Sequence, residues 1–205
     1  MNSEFDSARV ADAWPRIVRW LEYNTPVHAE ALNLPATEEQ ITAAEKRMGV
    51  RFPLELRTWL LMNNGSTALR EGETYATLSP LPQGYAFMDL DMISGVYAGK
   101  REYQRQMKCA GDEFMYWAHN WIPVIQAFDS EYGLFLDASE GGAACPVYSY
   151  GEDDIVEVGH TVPSFSSLGT YLTNVADALE GTVPWGRRDG YAGKFPVVRE
   201  GTLHW

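Results

Sequence analysis

Four histidines, His28, His119, His160 and His204, and two cysteines, Cys109 and Cys145, are the residues of this chain best suited to proton transfer, nucleophilic attack or metal ligation. Their spacing organises none of these. No cysteine or carboxylate stands at ligand spacing beside a histidine. The chain also lacks H-E-x-x-H, a paired C-x-x-C, a glycine-rich phosphate loop and a G-x-S-x-G elbow. His119, among Trp117, Asn120 and Trp121, could act as a general base, but a lone histidine before a strand reads more simply as a hydrogen-bonded structural residue. Cys109 has only Lys108 beside it to favour a thiolate. Glu152-Asp153-Asp154 has the charge for calcium without the alternating acids or distal glutamate of an EF-hand loop, and reads as a solvated turn. Tyr116, Trp117 and Trp121 could stack a ligand or fill a core. Neither a cofactor nor a metal is expected.

Charge is more informative. The net charge is −12, and its location is uneven. From Cys109 to Gly186, 78 residues contain no lysine or arginine but hold 12 acids. The other 16 acids are matched by the 16 lysines and arginines. The C-terminal half is therefore an acidic field on an otherwise balanced protein. Such a field repels nucleic acid and anionic membrane and attracts basic partners. The turn acids Asp129, Glu131, Glu152, Asp153 and Asp154, with Glu140 and Glu157 further out, are the candidate contact residues. Solubility alone also favours an acidic surface.

The elements that must present these residues begin with a helical pair. Thr37 is an N-cap, and Gln40 three residues on completes a capping box. Ile41, Ala44 and Met48 follow at helical spacing, and Gly49 fits a left-handed C-terminal residue. Pro53 opens a second helix that carries Leu56, Trp59, Leu60 and Asn63 on one side and stops at Asn64-Gly65. Before the pair, a helix over about 12–23 would carry Trp14, Ile17, Val18 and Leu21 inward, its start limited by Pro15, and Thr25-Pro26 would lead into a loop. A helix is expected over 90–107, with Gly95 and Gly99 weakening it. Strands are expected over 75–81, 85–88, 121–128, 134–137, 146–150 and 155–161, close enough in sequence to pair antiparallel. Ser164 would cap a last helix carrying Leu168, Leu172, Val175 and Leu179. This predicts an α+β fold: a mainly antiparallel sheet of about five or six strands against N-terminal helices and a C-terminal helix. One domain over 1–181 and an extension over 182–205 packed back on it account for the length.

The order L-P-A-T-E-E-Q-I, A-E, G, F-P-L-E-L, W-L-L, N-N-G from Leu34 to Gly65 resembles the opening signature of the SUKH superfamily. Trp121-Ile122-Pro123, Gly133-Leu134-Phe135-Leu136-Asp137 and the helix after Ser164-Phe165 fit the same pattern. The likeness runs from Trp14 to Leu179. That family includes fungal cell-wall-integrity regulators and many bacterial immunity proteins that neutralise polymorphic toxins.

The resemblance implies a non-catalytic protein-binding module, and the charge supplies a mechanism. Toxins that attack nucleic acid present basic, phosphate-seeking clefts, which an acidic face can occupy. The expected partner is thus a basic protein, a cognate toxin, with no nucleic acid and no membrane bound. The alternatives are a regulatory scaffold with several endogenous partners, and a small-molecule site or enzyme in a cleft formed by Trp117, His119 and Tyr150. The N-terminus has no secretory pattern, the longest apolar stretch, 114–128, is too short for a membrane span, and the two thiols read as reduced. A cytoplasmic location is expected, and the sequence sets no oligomeric state.

Overall fold

The computed structural model describes residues 3–67, 78–127, 132–139, 145–151, 163–186 and 192–205. The fold is α+β. In chain order the helices are α1 (Ser3–Asn24), α2 (Pro26–Glu30), α3 (Glu38–Met48), α4 (Leu54–Leu60), α5 (Leu90–Cys109) and α6 (Leu168–Leu179). The strands are β1 (Ala86–Phe87), β2 (Trp121–Gln126), β3 (Gly133–Asp137), β4 (Val147–Tyr150), β5 (Val197–Arg199) and β6 (Thr202–His204). Strands β1 to β4 form one antiparallel sheet in sequence order, and β5–β6 is a separate hairpin.

The α3–α4 elbow forms as its residue types dictate. Thr37 and Gln40 make both halves of the capping box, and Gly49 closes α3 at φ 72°. What fixes the angle between the helices is Glu45, buried between them. Its Oε1 accepts the Phe52 N–H at 2.7 Å, and its Oε2 pairs with Arg57 at 2.9 Å. Arg57 also reaches Glu38.

Three expectations for the helices are corrected. α1 begins at Ser3, nine residues before the expected start, with Pro15 inside it. The proline removes the bond to the carbonyl of Ala11, a residue on the exposed side of the helix. Burial of Val10, Ala13, Trp14, Ile17 and Leu21 outweighs that loss. Residues 26–30, expected as a loop, form the short helix α2 with Pro26 in its first turn. The cap of the last helix is Ser167, whose side chain accepts from the Thr170 N–H, and not Ser164.

Among the described residues the sheet holds four strands. Residues 78–81 are not a strand, while 75–77 and the expected strand 155–161 lie outside the described residues. Pro123 sits inside central strand β2, where its missing N–H would break a ladder. It is tolerated because the register shifts there: Pro123 faces Phe135 and Ile125 faces Leu134, leaving Val124 as a bulge. The carbonyl of Val124 instead accepts from Met88.

One sheet face meets the helical layer. Phe87 packs edge-on against Trp14 of α1 and Trp59 of α4, with ring centroids at 5.2 and 4.1 Å. Such aromatic pairs add roughly 0.5–1.5 kcal/mol each beyond area burial. α1 also lies along α6, where Arg16 binds Asp177 and Glu180 together at 2.6 and 2.5 Å. In the C-terminal segment, Trp185 stacks on Phe165 and meets Trp205 and Tyr171 edge-on, and Leu203 of β6 joins the core.

Glu45→Ala leaves the buried Phe52 N–H and the Arg57 guanidinium without their carboxylate. A loss of about 2–4 kcal/mol in urea-unfolding stability is expected. Glu38→Ala, at the exposed end of the same network, should cost less than about 1 kcal/mol.

Candidate functional site

The second face of the sheet is aromatic. Gly133, Phe135, Tyr148 and Tyr150 share it, because Gly133 pairs with Tyr150 and Phe135 with Tyr148 across β3 and β4. Trp117 folds back over this face, donating its Nε1–H to the Trp121 carbonyl at 3.0 Å. Its ring touches Trp121, Phe135 and Tyr150, with centroids at 5.7, 5.1 and 5.5 Å. α5 supplies the cover: the Lys100 ammonium stands 4.8 Å from the Tyr150 ring centroid and 5.8 Å from that of Trp117. Burial lowers the Lys100 pKa, while the two ring faces offer the ammonium a cation–π environment.

Of the three expected cleft residues, the structure brings two together and sets the third apart. Trp117 and Tyr150 are buried against each other, 2% and 3% exposed. His119 turns the other way. Its Nε2 donates to the Gly49 carbonyl at 3.2 Å, its Nδ1 lies 3.0 Å from the Tyr97 hydroxyl oxygen, and that hydroxyl donates its proton to the His119 carbonyl at 2.6 Å. Both ring nitrogens are thus engaged in tying the end of α3 to α5 and the approach to β2. The geometry gives His119 a positioning role in the fold.

Other polar side chains here hold backbone, and no local motif announces them. Gln104 of α5 accepts the N–H groups of Tyr116 and Trp117 at 2.6 and 2.9 Å and donates to the Phe114 carbonyl at 3.0 Å. Arg101 donates to the Trp117 carbonyl at 2.7 Å. Asp112 accepts from the Tyr116 hydroxyl at 2.5 Å and from the Phe114 N–H, which holds its carboxyl below the usual carboxylate range. Among the described residues, no three His, Cys, Asp or Glu side chains gather where a metal could bind. Among the described residues, no helix is long and apolar enough to cross a membrane.

The seven candidate contact acids, Asp129, Glu131, Glu140, Glu152, Asp153, Asp154 and Glu157, lie outside the described residues. Their anchors are described. Gln126, Gly133 and Tyr150 occupy one row across β2, β3 and β4, so the segments 128–131 and 152–162 leave from the same end of the sheet. Residues 140–144 connect at the opposite end, between Ser139 and Cys145. Within the acidic field, the described Asp177 and Glu180 are already taken up by Arg16.

These observations define an α+β fold in which Trp117, His119, Tyr150, Gln104 and Asp112 serve its own packing and backbone. Residues 35–174 match the SMI1 / KNR4 family (SUKH-1), and the chain belongs to that family. The match spans α3 to the first half of α6 and leaves out α1, α2 and the C-terminal hairpin. Among curated proteins no relative matches the chain.

The Tyr150 row yields a direct check. A Cβ on Gly133 would lie 2.5 Å from Tyr150 Cζ and closer still to the Ile125 carbonyl, so the tyrosine can lie across β3 only because that position is glycine. Gly133→Ala should displace Tyr150 and loosen Trp117. A loss of roughly 1–3 kcal/mol with red-shifted tryptophan fluorescence is the expected outcome.

Proposed function

We propose that this chain is a non-catalytic protein-binding module that acts in the cytoplasm as an immunity protein, neutralising a nucleic-acid-targeting toxin by stoichiometric contact. The observation that carries this reading is the distribution of charge along the sequence, 12 acids and no lysine or arginine over the 78 residues from Cys109 to Gly186. Asp129 and Glu131 lie in sequence between Ala127 and Tyr132, and Glu152, Asp153 and Asp154 follow Gly151; these three described residues lie at one end of the sheet. The family supports a binding role, and the run without lysine or arginine supports a basic partner. A basic, phosphate-seeking cleft would be drawn in by long-range attraction, which raises the association rate, and held by contacts desolvated on docking. Glu140, anchored at the other end, and Glu157 would contribute less.

The test uses the purified chain and the toxin domain encoded beside its gene. The expected result is a 1:1 complex that abolishes nuclease activity and weakens steeply as salt rises. Glu152→Lys with Asp154→Lys should lower affinity at least about tenfold at low salt. Unchanged affinity in that variant would overturn the electrostatic reading. Recovery of several unrelated endogenous partners, with no inhibition of the toxin, would turn the reading to a regulatory scaffold.

A further inference from the structure

α5 covers the sheet with one side and turns the other outward. Leu90, Ile93, Ser94 and Tyr97 are its buried side. Met92, Gly95, Gly99 and Tyr103 recur at helical spacing and line up on the opposite side. Met92 and Tyr103, the large side chains at the two ends of that row, are 36% and 48% exposed. The glycines between them answer to nothing inside the fold. Both lie in regular helix, away from the positive-φ positions. A Cβ on either would meet nothing within 4 Å among the described residues. Glycine inside a helix disfavours it roughly fivefold relative to alanine, so helix stability is given up twice while the middle of this face stays low.

Charge is ordered along the same row. Asp91 stands in the first turn and Arg105 near the other end, with side chains 88% and 66% exposed. Their partners within the chain, Arg47 at 3.2 Å and Glu102 at 2.6 Å, are exposed as well, and surface pairs of this kind are weak and exchangeable. Turning the row end for end brings Met92 onto Tyr103, one glycine beside the other, and Asp91 beside Arg105. A face complementary to its own reverse fits a second copy of itself across a two-fold axis. A partner of one charge sign would match only one end.

We propose that α5 packs antiparallel on α5 of a second copy, making a homodimer through this face. The two-fold axis passes through the segment from Gly95 to Gly99, where the missing side chains let the helix axes approach to about 8 Å. Met92 of each copy lies on the Tyr103 ring of the other, a sulfur–aromatic contact. Tyr103 is already held edge-on by Tyr116, with ring centroids 5.2 Å apart. Asp91 of each copy meets Arg105 of the other, and these two ion pairs set the antiparallel register. None of the seven candidate contact acids takes part, so the pairing is separate from toxin inhibition.

The test is analytical ultracentrifugation of the full chain from about 1 to 100 μM, where a reversible monomer–dimer equilibrium is expected. Gly95→Leu with Gly99→Leu enters open space, so the fold persists by circular dichroism while the dimer weakens more than about tenfold. Asp91→Arg and Arg105→Glu should each weaken it about tenfold at low salt, because every change counts twice across the axis. Combined, the two charge changes should restore the affinity to within about threefold of wild type. A wild type that stays monomeric at the highest concentration overturns the proposal, and so does a dimer that the leucine pair leaves intact. Weakening by each single charge change without recovery in the combination overturns the antiparallel arrangement.

Discussion

Asn64 sits where three segments meet, and its polar groups are divided among them. Its N–H donates to the Leu34 carbonyl, its own carbonyl accepts from the Asn33 side chain, and its Oδ1 accepts the Leu90 N–H that opens α5. Asn63 completes the join by donating to the Asn33 carbonyl. Backbone groups at helix ends have no partner within their helix, and burying them unpaired costs about 1–3 kcal/mol each. The same solution recurs throughout the molecule. Glu45 serves Phe52, Gln104 serves Tyr116 and Trp117, and Glu55 serves Gly169. Besides their packed surfaces, the elements are joined by side chains of one segment completing the backbone of another.

This economy bears on what is left for a partner. Asp112, Asp177, Glu180, Arg16, Arg57 and Arg101 all have internal bonds, so these six charges already serve the fold. The sheet instead acts as a mount. Its two faces are filled, one by Trp14 and Trp59 against Phe87, the other by Trp117 and Lys100 against Tyr150. Its connections are the parts free to differ between relatives without disturbing the core. A family of this construction can vary its recognition while keeping one fold.

Much of the fold was legible because local rules and tertiary structure agree there. Thr37, Gln40 and Gly49 do what their types demand, and Trp121, Gly133 and Val147 start strands close to where turn residues place them. Pro15 misled because the rule it obeys is local, whereas the gain from packing α1 on α4 and α6 is not. Ser164 and Ser167 are equivalent caps by residue type, and only the bridge between Phe165 and Val147 shows which one starts the helix. The candidate site was less legible still. Trp117 and Tyr150 are 33 positions apart and meet only through the β3–β4 register. Glu45, Glu55 and Gln104 look like ordinary surface residues in a sequence, since nothing local marks a polar side chain as buried.

The family match begins after α2 and ends inside α6, yet Gly169 touches the Asp6 backbone and Trp14 covers Trp59. The matched segment is therefore smaller than the piece that closes its own core. When such a segment is carried into a new gene by recombination, it arrives with an open flank over Trp59 and Leu168. Whatever lies upstream in the new gene must supply a helix to close it. In this chain the matched segment and the packed core have different boundaries, and the N-terminal helix is where the difference is made up.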